Sequence, residues 1–417
     1  MSTNDKTPPL SALARAGDTQ TEAVAITPFI FMARDISNAY LVNTGDGDVM
    51  INTGFMDDTN QQRNLALLGP HRTGPLRHIV LTQSHADHFG GVPVFRDETT
   101  KVIGGPGYIQ ASADMLGLQA FFGKRSRKLW GSTLQRGAAP KPAPDVVPDI
   151  LVDRTYAFEQ GGRRFELISA PDGETVDNLI VWMPDEKIAF TGNITGPVWN
   201  SMPFLCTLRG DKLRMVWNYI ASMTKLRDLG AELVITGHGE PIRGAATIRA
   251  DIDRMIGAVS WIRDYTHEGM KAGKTVHELM RDVALPEPLK IGEFHGKVAW
   301  AVKTIWEEYA GWFHYEDGTT ELYAVPRSAV DADLVALAGA DALTARARAH
   351  VEGGRPLEAV HLTDIVLNAE PGHHDAIAVR KIAHEHLLTA SGGTNLSETM
   401  WLRSEIAEMD AKLAGQT

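Results

Sequence analysis

The chain is almost without cysteine: Cys206 stands alone among 417 residues. That excludes an internal disulfide framework and any Cys-rich zinc module. No apolar run reaches the length of a membrane span, because Gly, Pro or charge breaks each one early. Positive charge is the scarcer sign, with 41 Lys and Arg against 52 Asp and Glu and a formal net charge of -11. A protein-wide basic footprint for nucleic acid is excluded on that balance. The first twenty residues carry scattered charges, Pro8 and Pro9 but no apolar stretch of the signal-peptide kind, so a polar tail over 1–24 and a cytoplasmic location are expected. What remains is ordinary for a folded chain: 43% hydrophobic and 22% charged residues rule out bulk disorder. At about 150 residues per domain, two or three domains, or one large domain with an appendage, are expected.

The first half alternates short apolar runs with helical spacing. NAYLVN (38–43) and DVMIN (48–52) flank Thr44-Gly45-Asp46-Gly47, a hairpin signal. RHIVLT (77–82) reads as a buried strand, and further strands are expected at 165–169, 179–183, 187–190 and 233–236. Helices are expected near 57–68 and 213–229, which gives an α/β layered architecture. Residues 138–148 hold four prolines and read as an extended loop, preceded by a basic stretch from Lys124 to Arg136. After about 247 the spacing turns helical: Ile252, Met255, Ile256, Val259, Ile262, then Val298, Val302, Ile305, Trp306, Tyr309 and Phe313. Gly353-Gly354-Arg355-Pro356 and Glu370-Pro371-Gly372 punctuate a final set of short helices. One boundary falls near 247 and a softer one near 327.

Polar loops follow four of these strands. Gln83-Ser84-His85-Ala86-Asp87-His88 comes directly after the strand ending at Thr82. Gln83, His85 and Asp87 alternate, so an extended backbone returns them to one face. Imidazole nitrogen and carboxylate oxygen are good ligands for zinc and similar ions. Taken alone, the motif is equally a hydrogen-bonded loop. The other three loops are Asp172-Gly173-Glu174-Thr175, Thr191-Gly192-Asn193 and Thr236-Gly237-His238. Loops at strand ends can converge on one site in a sheet of this kind.

The set resembles the metallo-β-lactamase superfamily, with its Thr-His-x-His-x-Asp-His, Pro-Gly-His-Thr, Thr-Gly-Asp and late Gly-His motifs. The resemblance implies an αββα sandwich with a dinuclear metal site at one edge. Gly173-Glu174-Thr175, Thr207-Leu208-Arg209-Gly210 and the stretch Val302 to Phe313 are similar to the alkyl-sulfatase branch, which implies that an all-α dimerisation domain follows. The resulting division is a 1–24 tail, a 25–247 catalytic domain and a 248–417 helical domain.

By the same resemblance, Gln83, His85 and Glu174 would hold one zinc or similar ion, Asp87, His88 and His238 another, with Asn193 in the bridging position. The chain departs from the pattern where Gln83 replaces histidine, Asn193 replaces a bridging acid and Asn52 replaces a supporting aspartate. Fewer formal negative charges then hold two cations close together. The Asp87 site is expected to be the tighter one, and the sequence leaves one ion or two open. Arg209 offers a planar two-point contact to an anionic head group, although a structural ion pair is the competing reading. The implied reaction is attack of a metal-bound hydroxide on an alkyl sulfate, with Asp87 as ligand and proton acceptor. A lactone, carboxylic ester or thioester is the enzymatic alternative, and a scaffold with a degraded site the non-enzymatic one. The expected partners are an anionic amphiphilic ester and a second copy of the chain, with no nucleic acid and no membrane insertion. Phe121, Phe122, Trp130 and Trp199 are read as an apolar channel or as core. His373, His374, His384 and His386 are read as surface residues.

Overall fold

A computed structural model describes residues 9–134, 142–315 and 318–415. The first eight residues of the expected tail, Arg136 and the start of the proline-rich loop (138–141) lie outside the described residues. The chain forms two compact units, Pro9–Glu308 and one beginning at Tyr309.

Two sheets build the larger unit. The first runs in sequence order: β1 (Val24–Thr27), β2 (Ile30–Ala33), β3 (Ala39–Asn43), β4 (Asp48–Ile51), β5 (Leu76–Val80), β6 (Lys101–Gly104) and β7 (Ile150–Leu151). β1 to β4 are antiparallel neighbours, and β4 to β7 are parallel. The second sheet holds β8 (Thr155–Gln160), β9 (Arg163–Ser169), β10 (Leu179–Met183), β11 (Ile188–Gly192), β12 (Leu233–Thr236) and β13 (Ile242–Arg243), in the order β13-β12-β11-β10-β9-β8. Only β11 and β12 are parallel there.

Alternation of side chains sorts the layers. Ile30, Met32, Tyr40, Val42, Val49 and Ile51 point from the first sheet into a core shared with Phe165, Leu167, Val181, Phe190 and Ile235 of the second. The alternate residues Ala33, Ala39, Leu41 and Met50 pack on the far side with Leu67 and Leu68 of the helix Asp58–Leu68. That helix starts on Asp57, whose carboxylate accepts from the Asn60 N–H. The helix Val216–Asp228 lies against the second sheet's loops, with Ser222 Oγ donating to the Pro171 carbonyl (2.9 Å) and Lys225 Nζ to the Ser169 carbonyl (2.7 Å). The architecture is the expected αββα sandwich followed by helices. The two sheets meet so that loops after β5, β9, β11 and β12 emerge along one edge.

The unit from Tyr309 is helical. Pro356–Ala369, His374–Ala390 and Leu396–Leu413 pack in succession, with Ala347, Val351, Ala359, Val379 and Ala383 as their core. Arg380 pairs with Asp364 and lies 3.8 Å from Glu405. His384 corrects the surface reading of the histidine group: it is buried, with Nδ1 2.8 Å from the Arg380 carbonyl. Trp312 and Tyr315 are exposed, at 75% and 83%. The basic stretch is a helix, Gln119–Leu134, and Trp130 lies within it.

Candidate metal centre

The segment after β5 carries Thr82, Gln83 and His85, the last in extended backbone, and a short helix, Ala86–Phe89, then turns Asp87 and His88 inward. β12 delivers His238 from the opposite sheet. Asp87, His88 and His238 each offer a ligand atom, and those atoms lie within 4.8 Å of one another. Asp87 Oδ2 is 3.8 Å from His88 Nε2 and 3.9 Å from His238 Nε2.

The orientation of His88 follows from its neighbours. Ser37 Oγ donates its single hydrogen to the Gly237 carbonyl (3.1 Å), and Thr82 Oγ1 donates its own to Asn52 Oδ1 (3.0 Å). Both hydroxyl oxygens face His88 Nδ1, at 3.1 and 3.3 Å, and have only lone pairs left for it. Nδ1 therefore carries the ring hydrogen and Nε2 the lone pair. Nε2 is buried, has no hydrogen-bond partner among the described residues, and faces Asp87. Burial pushes the His88 ring down to about 3 and lowers His238 as well, so both imidazoles are neutral, which is the ligating form. Burial alone would raise the Asp87 carboxyl, but the basic groups around it outweigh burial and hold it below its usual range, Arg209 being the one that is permanently charged. Two neutral imidazoles and an ionised carboxylate suit a divalent cation.

Asn52, one of the departures, earns its place by conformation. It sits at φ 55°, the left-handed region that asparagine tolerates, and its Oδ1 also accepts from the Thr82 N–H (3.0 Å). On the far side, Asn38 N–H donates to the Gly237 carbonyl (2.7 Å), Asn38 Nδ2 to the Gly239 carbonyl (3.0 Å) and Tyr40 OH to the Thr236 carbonyl (2.6 Å). The first sheet thus grips the loop that carries His238. Gly237 is needed for closeness: a Cβ there would stand 2.1 Å from Asn193 Oδ1 and 2.9 Å from His88 Cε1. Gly237→Ala is expected to weaken divalent-ion binding by roughly 10–100-fold through displaced support, read by competition with a coloured chelator; unchanged affinity would contradict the crowding.

The remaining predicted residues form a second group. Asn193 N–H donates to Gln83 Oε1 (3.0 Å), and Gln83 Nε2 lies 2.8 Å from His85 Nδ1. His85 Nε2 lies 2.8 Å from Arg209 Nη2 and 3.3 Å from Asp211 Oδ2. Glu174 is buried beside Arg214, whose Nη2 is 3.1 Å from Oε1 and whose Nε donates to the Glu174 backbone carbonyl. Asp211 is drawn below the usual carboxylate range: burial opposes this, but His85, Arg209 and Arg214 prevail. Asp211, Arg214, Ser37, Asn38 and Asp177, which accepts from Ser84 Oγ (2.8 Å), were not expected from the sequence. Asp211 and Arg214 do lie within five residues of Arg209, the one signal that points to them. Phe121 and Phe122 approach the position of a Gly210 Cβ to 3.6 and 3.3 Å, so they border Arg209. Phe121 is over half exposed, and Trp199 is held by Nε1 donating to Asp251 (2.8 Å).

Comparison with known proteins agrees with this layout. The family described as the metallo-beta-lactamase superfamily matches residues 32–238, and that described as alkyl sulfatase dimerisation matches residues 275–403. A linear primary-alkylsulfatase of a Pseudomonas species is 26% identical over 409 residues, covering 90% of this chain and 74% of that protein. The alkyl/aryl-sulfatase BDS1 of Saccharomyces cerevisiae is 24% identical, covering 84% of this chain and 58% of that protein. The solved structure of the stereoselective inverting sec-alkylsulfatase Pisa1 from Pseudomonas sp. superposes with a TM-score of 0.83 at 22% identity, over 98% of this chain and 69% of that one. The first match begins in β2 and closes on His238 itself, so it spans both sheets and all four loops, and the chain belongs to the metallo-β-lactamase superfamily, in its alkyl-sulfatase-like branch.

Proposed function

We propose that the chain is a metal-dependent hydrolase that releases sulfate from alkyl sulfate esters. The observation that carries this reading is the buried His88 Nε2, without a partner among the described residues and turned toward Asp87 beside His238, with the Arg209 guanidinium bordering the same pocket. Asp87, His88 and His238 would hold the ion, and zinc suits their nitrogen and oxygen donors. Such an ion supplies a lowered pKa for water and polarises an ester oxygen.

The other steps fall to the protein's own groups. Arg209 binds the sulfate oxygens by its planar N–H donors; its Nε is buried with no partner among the described residues. Asp87 accepts a proton at Oδ1. The alkyl chain lies along Phe121 and Phe122, which border Gly210 next to Arg209. Water is consumed, and alcohol and inorganic sulfate leave.

The exposed Trp312, Tyr315 and Tyr323 of the helical unit, with the dimerisation match, support a homodimer through that unit. No described helix is long and apolar enough to cross a membrane, and a cytoplasmic location is the simplest setting for the chain. The functional division we favour is a 1–24 tail, 25–247 for catalysis and 248–417 for assembly.

Incubation of the zinc-loaded protein with decyl sulfate is expected to release equimolar sulfate and decanol, and chelation with confirmed zinc loss is expected to stop it. Hydrolysis confined to a lactone, carboxylic ester or thioester would overturn the sulfate assignment. Zinc retained with none of these cleaved would leave a binding scaffold instead.

A further inference from the structure

The group around His85 does not suit a second ion. Gln83 Oε1 accepts a backbone N–H that can only donate, from Asn193, which turns the amide NH2 toward His85 Nδ1. An amide NH2 has no lone pair to offer a metal. The other ring nitrogen of His85 faces Arg209 and Asp211. Glu174, the one acid of the expected ligand set, is matched with Arg214, and both side chains are nearly sealed from solvent, at 6% and 3% exposure.

Charge points the same way. The carboxylates of Glu174 and Asp211 are balanced by the guanidinium groups of Arg209 and Arg214, and Gln83 and Asn193 are neutral. Arginine does not give up its proton in proteins. A dication placed here would sit among two fixed positive charges, with the Glu174 and Asp211 carboxylates already matched to them, in a buried setting where repulsion is poorly screened. The Asp87 site differs: its carboxylate faces two neutral imidazoles.

We propose that this chain is a single-ion enzyme in which the Arg214 guanidinium, tied to Glu174, supplies the positive charge that a second metal ion would otherwise bring. The proposal rests on the hydrolase reading for its catalytic meaning, but the ion count stands independently of it. Arg214 Nη1, buried and unpartnered among the described residues, adds a second cationic N–H donor beside that of Arg209 for the sulfate group.

Elemental analysis after equilibration with excess zinc and desalting tests this without substrate. One zinc per chain is expected in the native protein, retained in Gln83→Ala and Glu174→Gln and lost in His238→Ala. Gln83→His combined with Arg214→Met is expected to raise the count toward two. Two ions in the native chain, or loss of one on changing Gln83, would overturn the proposal. The native count and Gln83→Ala decide the matter even if a variant of the buried Arg214–Glu174 pair does not fold. One ion with no sulfate release from decyl sulfate would sink the hydrolase reading and leave the single-ion centre standing; two ions with release would do the reverse.

Discussion

His238→Ala is expected to lose the zinc ion and sulfate release together. The candidate site has three protein donors among the described residues. Structural zinc sites, usually with four donors, supply roughly 10–16 kcal/mol at neutral pH, so removing one of three donors costs on the order of 4 kcal/mol, about a thousandfold in affinity. At micromolar free zinc such a variant is empty. The backbone of His238 is held from both sides, by β12 and by the bonds that Asn38 and Tyr40 make to its loop, so the substitution removes the donor while the loop keeps its support. The measurements are zinc content by elemental analysis and sulfate released from decyl sulfate. Circular dichroism is expected to be unchanged if the fold survives. Activity retained in a variant freed of zinc would refute the assignment of this histidine.

Asp35→Ala is expected to destabilise the fold by about 3 kcal/mol, because it strips several buried donors of their acceptor at once. Asp35 is 1% exposed. It accepts from the Ile36 N–H (2.7 Å), the Phe55 N–H (3.0 Å) and Asn64 Nδ2 (2.8 Å), and it lies 3.3 Å from Arg63. Burial pushes its carboxyl up, against the pull of Arg63 and these bonds. Two residues further on, Ser37 holds His88, so the loop that Asp35 braces is the one that orients the candidate ligand. Urea unfolding at pH 7 should show a lower midpoint with an unchanged slope. Asp35→Asn keeps much of the shape and is expected to lose less. A cost below about 1 kcal/mol for the alanine variant would show that water replaces the lost acceptor.

Much of this arrangement was legible in the sequence. The apolar runs of β5, β9, β11 and β12 announced themselves by composition, and the loops after them carry the residues that meet at the edge of the sandwich. β7 escaped notice because it is two residues long, β8 because half of TYAFEQ faces solvent, and β6, no shorter than β12, because only Val102 and Ile103 form an apolar run between Lys101 and Gly104. A buried-strand signal needs length or continuous apolarity. The Arg214–Glu174 pair was invisible for another reason. Its members lie 40 residues apart in different loops, and an arginine following Lys212 and Leu213 has no periodicity to mark it as buried. Ser37 and Asn38 are ordinary loop residues until the second sheet brings Gly237 against them. Arg209 was read either as an anion contact or as an ion pair; it lies 3.4 Å from Asp211 and 2.8 Å from His85, and its Nε remains without a partner among the described residues.

His238 hangs from one sheet, whereas Asp87 and His88 hang from the other. A cation shared by all three would act as a rivet through the seam of the sandwich, and prising the layers apart would mean tearing it out. Thermal resistance should therefore climb with the logarithm of free zinc well beyond saturation.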